Sequence, residues 1–294
     1  MENSLEMKPH HSIYAKDMKK AYGKSVILAD IDLAVSRGEF VTMVGQSGCG
    51  KSTLFRIILG QERCTCGTFL INGETPTRPN KRCGIVFQQN SLYPHLTALE
   101  HVTMSLQMHY GWPIKWLFHK KEIKEKAIAI LQRFGLEDHM HKYPTQLSGG
   151  QTRRVAIAQS TILKPEILLM DEPFRDLDPF TREQSQMFLL DLWRETGITI
   201  IFVTHELDEA IYLGSRVIAL SKNYTVHNHH VQGARIVGDY NLGREIKAPT
   251  VKTDPEFQRL KREIHNNCMD PAQITEAATF HGNHPDSFFT LDEQ

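Results

Sequence analysis

The sequence predicts an α/β fold in which a parallel sheet is interrupted by a helical insertion. Two continuously apolar runs, residues 167–170 and 198–203, are typical of parallel strands that are buried on both faces. A helical pattern around residues 181–195 separates them, and a third apolar run at 40–44 enters a glycine-rich loop. From about residue 90 to residue 164 the pattern is helical. Together these observations favour an α/β layer with an inserted helical subdomain.

The N-terminal part is expected to contribute a small antiparallel sheet. Residues 1–12 are polar and are expected to be disordered. Between residues 13 and 40, short apolar alternations broken by glycines are typical of antiparallel strands. Helical spacing then begins at Lys51 and stops at Gly60, and residues 84–89 predict a further strand.

Residues 13–245 are expected to form the main domain, followed over residues 246–294 by a C-terminal helix and a mobile tail. Asp254 and Pro255 predict the start of that helix, as its N-cap and first-turn proline. From about Asp270 the apolar periodicity is lost, which predicts a mobile end.

The composition excludes some classes of protein. Of the 294 residues, 40% are hydrophobic and 23% are charged, which is ordinary for a soluble globular chain. Thirty-four basic residues balance thirty-four acidic ones, so no global field favours nucleic acid as a partner. The apolar runs are far shorter than the roughly 20 residues that span a bilayer, and the N-terminus has no signal-peptide pattern. Any membrane connection is therefore expected to come through a partner.

The five cysteines show no disulfide spacing and suit a reducing cytoplasm. Cys64, Cys66 and Cys83 could ligate a metal, with ordinary reduced thiols as the expected state.

The glycine-rich loop matches the pattern G-x-x-x-x-G-K-[ST] in full. Glycines let backbone N–H groups curl around phosphate oxygens, and the helix that follows points its positive end at the same anion. Lys51 would reach the β- and γ-phosphates, while Ser52 would ligate Mg²⁺. The loop alone indicates an NTPase or a kinase. The residues predicted to bind the nucleotide here are Gly45, Gln46, Ser47, Gly48, Cys49, Gly50, Lys51, Ser52 and Thr53.

Further motifs narrow the class of protein. Leu147-Ser148-Gly149-Gly150-Gln151 is the LSGGQ signature of ATP-binding cassette (ABC) proteins. Residues 167–173 (ILLMDEP) resemble the family's Walker B segment, Val86-Phe87-Gln88 resembles its Q-loop, and Thr204-His205-Glu206 resembles its H-loop. Their order and spacing match the family from about Ile13 to Leu220. The chain thus resembles an ABC transporter ATP-binding subunit, and within the family it looks most like the nitrate, sulfonate and taurine (bicarbonate) importer type.

The resemblance implies a P-loop NTPase fold: a RecA-like parallel sheet, a small antiparallel β subdomain and an inserted α-helical subdomain. It also implies that Ser148, Gly149, Gly150 and Gln151 bind the γ-phosphate of ATP held by a second subunit. The alternative for this loop is an ordinary helix cap.

Walker B supplies two acidic groups. The resemblance implies that Asp171 contacts Mg²⁺ and that Glu172 polarises the attacking water as general base. The structural alternative is that both residues cap the next helix.

Three single residues complete the predicted site. The resemblance implies that His205 senses the γ-phosphate and orients Glu172, although a lone histidine there is more often structural. Gln88 would contact Mg²⁺ or the lytic water at the hinge into the helical insertion, or would simply be solvated. Tyr22 corresponds to the aromatic that stacks on adenine in the family, with packing on the sheet as its alternative.

The D-loop position departs from the family. Phe174-Arg175-Asp176-Leu177-Asp178 stands where the family usually has Ser-Ala-Leu-Asp, so two small residues are replaced by Arg175 and Asp176. Gln159 stands where many relatives carry arginine. Neither change removes a catalytic group, and we expect an active ATPase.

Two other segments remain ambiguous in the sequence. Residues 111–118 are aromatic and precede basic residues 119–121, so they could contact lipid headgroups or a partner helix; we expect them in the core of the helical subdomain. The histidines within residues 227–230 could bind a metal, with a solvated loop as the expected state.

The resemblance implies ATP and Mg²⁺ as ligands and a dimer, most simply a homodimer, as the active form. The partners would be integral membrane permease subunits and, indirectly, a solute-binding protein, with the chain peripheral on the cytoplasmic face of the membrane. Coupling would run through the groove near residues 88–94, where Tyr93 and Pro94 are candidate lining residues. Two other classes of protein are the alternatives to a transporter subunit. A soluble ABC protein that acts on ribosomes or DNA would have two cassettes in one chain or a long coiled-coil insertion. A regulatory subunit that binds ATP without hydrolysing it would lack Glu172 or His205.

Overall fold

A computed structural model describes residues 7–78, 82–88, 92–111, 114–227, 229–243, 249–270 and 274–288. The strands found in these residues are β1 His11–Tyr22, β2 Ser25–Ser36, β3 Phe40–Gly45, β4 Cys66–Ile71, β5 Cys83–Val86, β6 Ile167–Asp171, β7 Thr199–Val203, β8 Arg216–Ser221, β9 Tyr224–Val226, β10 His229–His230, β11 Arg235–Asn241, β12 Thr275–Glu276 and β13 His281–Gly282. The α-helices are α1 Lys51–Ile58, α2 Ala98–Tyr110, α3 Lys120–Arg133, α4 Gly149–Thr161, α5 Pro179–Thr196, α6 Leu207–Leu213 and α7 Pro255–Ile264, with a π-helical turn at His265–Met269.

The contacts divide the chain into two compact units. The first combines the described residues up to 78 with those from 196 onward, and the second contains the described residues from 82 to 195. Within the described residues, no helix is both long enough and apolar enough to cross a membrane.

The first unit contains the predicted antiparallel sheet, in the order β2-β1-β4. Strand β1 begins at His11, so the ordered structure starts before residue 13, the boundary expected from the sequence. His11 and Ser12 are fully buried because β1 is the central strand of this sheet and pairs on both sides. The polar character of residues 1–12 did not reveal this pairing.

The first unit also contains the parallel strands that carry the phosphate loop. Strand β3 lies between β7 and β8 and is parallel to both. Antiparallel β11 then pairs with β8, and β13 pairs with β11. All six residues of β3 are buried. Because parallel strands share one carboxyl edge, Gly45 at the end of β3 and Thr204 just after β7 lie at the same edge.

The second unit pairs β5 with β6 in parallel; α4 packs against β5, and α2 and α3 pack against α4 and against each other, with α5 following β6 along the chain. Three of these helices, α2, α3 and α4, lie between residues 98 and 161, where the sequence predicts the helical insertion. Thr97 begins α2 with a capping box to Glu100, in which each side chain accepts a hydrogen bond from the other residue's backbone N–H. The predicted α/β class, with an antiparallel sheet and a helical insertion, is confirmed.

The aromatic segment before α3 differs from the expectation of a core position. Ile114, Leu117 and Phe118 are 64%, 52% and 86% exposed, while Trp112 and Pro113 lie outside the described residues. The short 3-10 helix at Lys115–His119 leaves these apolar side chains on the surface of the second unit. The expectation of a core position, which rested on the aromatic content of this segment, was therefore wrong.

The C-terminal part is more ordered than the sequence predicts. Asp254 caps α7 as expected, its side chain accepting the backbone N–H of Glu256. Beyond Asp270, β12 pairs with β9 and β13 pairs with β11, so the described residues of this region extend two sheets. Pairing by two-residue strands leaves no periodic pattern that a sequence could show.

The histidines near residue 229 form part of an exposed hairpin. His229 and His230 pair with Val226 and Thr225 of β9, and both are exposed to solvent. Asn228, between the two strands, lies outside the described residues.

Candidate nucleotide-binding site

The phosphate loop joins the buried end of β3 to the start of α1. Its tip is open: Ser47 and Gly48 are exposed, and a Cβ added at Gly48 would meet no atom within 4 Å. Its base is tight, because a Cβ at Gly45 would lie 2.3 Å from the carbonyl oxygen of Leu220 and 2.8 Å from Cys49 Sγ. Gly45, with φ +156°, is therefore required where the loop passes the neighbouring strand β8.

Helix α1 begins without a side-chain cap. Its N-cap is Gly50, with φ 97°, and no side chain accepts from the first turn. The N–H groups of that first turn have no acceptor within the helix, as at the start of any α-helix. Lys51 and Thr53 are buried while Ser52 is exposed. An exposed loop tip beside uncapped N–H groups is a geometry that fits phosphate oxygens.

Lys51 is held inside the loop by the loop's own backbone. The side chain is 6% exposed, and its Nζ donates to the carbonyls of Gly45 at 2.7 Å and Gln46 at 3.0 Å. Burial raises the pKa of the adjacent Cys49 thiol, so this side chain stays neutral despite the Lys51 ammonium at 3.7 Å. The loop thus presents one fixed positive charge and no thiolate.

The C-terminal segment contacts the phosphate loop, which sequence reasoning missed. Gln46 Nε2 donates to the carbonyl of Met269 at 3.3 Å, and Asn223 Nδ2 approaches Gln46 Oε1 at 3.5 Å. Met269 ends the π-helical turn after α7. No local pattern pointed to this contact, because more than 200 residues separate the partners.

His205 and Tyr22 also belong to the first unit. Thr204 donates its N–H to the carbonyl of Met43 in β3, so His205 follows directly at the edge where the phosphate loop begins. Tyr22 ends β1 and is 45% exposed; its hydroxyl donates to Glu62, and the Lys20 ammonium lies 4.7 Å from the centre of its ring. A half-exposed ring of this kind presents surface for a planar base.

The Q-loop residue is tied to the helix that follows the signature. Gln88 is half-buried, and its carbonyl accepts Arg153 Nη2 at 3.1 Å while Arg153 Nη1 donates to the carbonyl of Phe87 at 2.8 Å. Arg153 is 5% exposed, so this fork is buried. Sequence reasoning did not identify Arg153 as a partner of the Q-loop.

The signature loop is the N-terminus of α4. Ser148 Oγ accepts the N–H of Gln151 at 3.3 Å, and Gln151 Oε1 accepts the N–H of Ser148 at 3.0 Å. The cap that the sequence left as an alternative is therefore present, and it leaves the hydroxyl hydrogen of Ser148 free to be donated elsewhere.

The two signature glycines pack closely on the following loop and helix. A Cβ at Gly149 would lie 2.8 Å from Leu177 Cδ2, and one at Gly150 would lie 2.7 Å from Thr181 Cγ2. The start of α4 thus rests on the D-loop and on the start of α5.

The Walker B acids lie at the end of β6. Asp171 is half-buried, and Glu172 is 9% exposed with a left-handed backbone, φ 43°. Arg175 Nη1 donates to Glu172 Oε2 at 3.0 Å. This ion pair was not foreseen, although the i,i+3 spacing of an acid and an arginine in a turn is the signal that could have found it.

The predicted residues therefore fall into two sets. The phosphate loop, Tyr22 and His205 belong to the first unit, and Gln88, the signature and the Walker B acids belong to the second. A buried strand, a glycine loop with a buried lysine and an uncapped helix start together define a P-loop nucleotide-binding protein.

Comparison with known proteins makes the family explicit. The ABC transporter family model matches residues 28–175. The aliphatic sulfonates import ATP-binding protein SsuB of Bacillus thuringiensis subsp. konkukian is 36% identical over 251 residues, 85% of this chain and 91% of that protein. The taurine import ATP-binding protein TauB of Pseudomonas aeruginosa is 35% identical over 86% of this chain and 93% of that protein. The chain belongs to the ABC transporter family and is an ATPase cassette of that family.

Other similar proteins extend the comparison. The spermidine/putrescine import ATP-binding protein PotA of Haemophilus influenzae is 40% identical over 76% of this chain, and this chain spans 58% of its length. A dimeric ATP-binding cassette in a post-hydrolysis state, bound to ADP and Pi, matches with a TM-score of 0.62 at 32% identity over 78% of this chain and 98% of that one. A cassette of the cbiONQ complex from Clostridium perfringens shares the fold, with a TM-score of 0.67 over 87% of this chain and 99% of that one.

Proposed function

We propose that the chain is the ATP-hydrolysing subunit of an importer, in which two cassettes close over two ATP molecules and drive partner permease subunits. The observation that carries this proposal is the phosphate loop, where a buried Lys51 ammonium lies beside an open glycine tip and an uncapped helix start. A fixed cation beside uncapped N–H groups suits the anionic oxygens of a nucleotide phosphate.

Two residues, Glu172 and His205, are assigned to hydrolysis. Glu172 would accept the proton of the attacking water, since its carboxylate is held by the left-handed turn after β6. His205 would donate to the γ-phosphate, and Tyr22 would stack on the adenine with the exposed part of its ring.

Mg²⁺ is the metal whose preferred ligands these residues offer. The exposed Ser52 hydroxyl, the half-buried Asp171 carboxylate and the Gln88 amide all present oxygen atoms, and hard oxygen ligands suit Mg²⁺. When bound, the ion would neutralise charge on the phosphates. Ser52, Asp171 and Gln88 would hold it in place.

A second copy of the chain is proposed to complete each site. Ser148, Gly149, Gly150 and Gln151 form the start of α4. The capping box leaves the N–H groups of the two glycines and the serine hydroxyl hydrogen to bind an anion, and we assign the four residues to the γ-phosphate on the other subunit's phosphate loop. Homodimerisation is the simplest form of this arrangement, and the similar cassette with ADP and Pi is dimeric.

The transport assignment follows from the relatives. SsuB and TauB are import proteins for sulfonates and taurine, so we propose import of a small solute of the nitrate, sulfonate or taurine type. The chain would bind the cytoplasmic face of the membrane through permease subunits, near Gln88, Tyr93 and Pro94, with a solute-binding protein upstream; residues 89–91 of that stretch lie outside the described residues.

The general-base assignment is tested with Glu172→Gln. The variant should bind ATP with unchanged affinity, lose turnover by about 10²-fold or more, and accumulate as a dimer at millimolar ATP. Glu183→Gln, an exposed change on α5, is the matched control. Turnover that survives in Glu172→Gln would refute the assignment. Co-purification with an integral membrane protein tests the transporter role separately.

A further inference from the structure

Arg175 is bonded directly to the proposed general base. Its Nη1 lies 3.0 Å from Glu172 Oε2, and its backbone N–H lies 3.4 Å from the carbonyl oxygen of Glu172. The Glu172 side chain is 10% exposed, whereas the Arg175 side chain is 59% exposed. One end of the pair is thus fixed in the protein, and the other end lies mostly in solvent.

The loop that contains Arg175 is held through hydrogen bonds to its backbone carbonyls, not through the Arg175 guanidinium. Arg182 Nη2 donates to the carbonyls of Arg175 at 3.3 Å and Leu177 at 3.2 Å. Phe174 is fully buried beside it. The Arg175 side chain can therefore leave Glu172 without the loop losing these anchors.

The pair has a chemical consequence for hydrolysis. A general base must turn a free lone pair toward the proton that it abstracts. The charge-assisted hydrogen bond from Arg175 Nη1 occupies one lone pair of Glu172 Oε2 and restricts the orientation of the carboxylate. Contact with Arg175 therefore competes with contact between Glu172 and a water molecule.

We propose that Arg175 gates the general base: it holds Glu172 Oε2 through the observed ion pair and must be withdrawn before each turnover. The proposal rests on the general-base function assigned to Glu172. Arg175 acts through Glu172 and is a positioning residue, not a catalytic one.

The signature loop is placed to release the gate. Gly149 at its start packs against Leu177, two residues from Arg175, and Gly150 packs against Thr181 of α5. Binding of a nucleotide phosphate from a second copy at Ser148 would press on this same loop. The gate then opens only when two cassettes and ATP have assembled, which suppresses hydrolysis by a cassette that stands alone.

The test measures steady-state ATPase activity of the full chain with saturating Mg²⁺ and varied ATP. We expect Arg175→Ala to raise kcat about two- to fivefold, the range for a partly exposed ion pair. The kcat of Arg175→Lys, which keeps the charge but not the planar guanidinium, should lie between the values of wild type and Arg175→Ala. Arg133→Ala, which breaks an exposed arginine pair with Glu195, should leave kcat at the wild-type value.

The dependence of kcat on salt concentration distinguishes gating by Arg175 from a merely structural role. Raising the ionic strength from about 0.1 M to about 1 M shortens the Debye length from about 10 Å to about 3 Å and weakens the exposed side of the pair. The kcat ratio of Arg175→Ala to wild type should therefore approach one at high salt. A ratio that does not change with salt would contradict gating.

A fall in kcat, or no change, in Arg175→Ala would overturn the proposal. The double variant Glu172→Gln with Arg175→Ala distinguishes failure of the gating proposal from failure of the general-base assignment on which it rests. It should be as inactive as Glu172→Gln alone, because the gate acts only through the base. Turnover in both Glu172→Gln variants would instead refute the base assignment itself.

Discussion

The ammonium of Lys51 donates to the carbonyl of Gly45 across 2.7 Å, from one end of the phosphate loop to the other. The two ends of the loop are therefore joined through the Lys51 side chain. In the proposed nucleotide complex, the Lys51 ammonium would exchange these backbone carbonyls for phosphate oxygens or share its hydrogen bonds between the two.

Lys51→Ala should weaken ATP binding by at least about tenfold, because hydrogen bonds to a charged group contribute about 1.5–3 kcal/mol. Binding of a fluorescent ATP analogue measures the effect, with Lys121→Ala as control, since that lysine is exposed on α3. Normal affinity in Lys51→Ala would mean that the phosphates bind elsewhere.

Arg216→Ala should destabilise the first unit by about 3–5 kcal/mol, because it leaves buried carboxylates without their cation. Arg216 is 1% exposed and forks onto Asp239 with two contacts of 2.6 Å; it also lies 3.4 Å from Glu39. Urea unfolding measures the loss, against exposed Arg37→Ala as control. Equal midpoints for Arg216→Ala and wild type would show that the network contributes little.

Stability should fall in acid through Asp286, which joins the C-terminal part to the start of β1. Burial alone would raise the pKa of Asp286, but hydrogen bonds from Lys8, Ser36 and His11 lower it to about 2. An unfolded aspartate titrates near 3.9, so the stabilisation is fully present above about pH 4 and is lost as the pH falls toward about 2. The contribution at neutral pH is about 2 kcal/mol.

Asp286→Asn should therefore be less stable than wild type near pH 7, and the difference should disappear near pH 2. Unfolding free energies across this range test the sign, with exposed Asp138→Asn as control. A difference that grows as the pH falls would contradict the origin assigned to it. Burial also lowers the pKa of His11, which adds a loss in the same direction that begins below about pH 6.5.

The sequence predicted the fold class and the phosphate loop because both depend on local patterns. A buried strand, a glycine loop and a helix start follow each other within 20 residues, as do the signature and the helix that it caps. The left-handed glycines and the cap at Ser148 need no distant partner, so residue type and spacing were sufficient.

The missed features depend on partners that are distant in sequence or on the detailed shape of a turn. Gln46 meets Met269 only because the C-terminal segment folds back to β3, and Arg153 meets the Q-loop across 65 residues. Arg175 is near Glu172 in sequence, but only the left-handed backbone of Glu172 turns the two side chains together. Surface exposure of Phe118 was missed because apolar residues more often lie in the core.

The central claim is that each ATP site is shared between two copies of the chain, and subunit mixing tests it most directly. Lys51→Ala removes the phosphate-loop half and Ser148→Arg removes the signature half, so each variant alone should be inactive. Mixed dimers, isolated through different affinity tags on the two chains, contain one site in which both halves are intact. A one-to-one mixture that pairs at random should recover about a quarter of wild-type turnover. Mixed dimers without turnover would contradict the shared site.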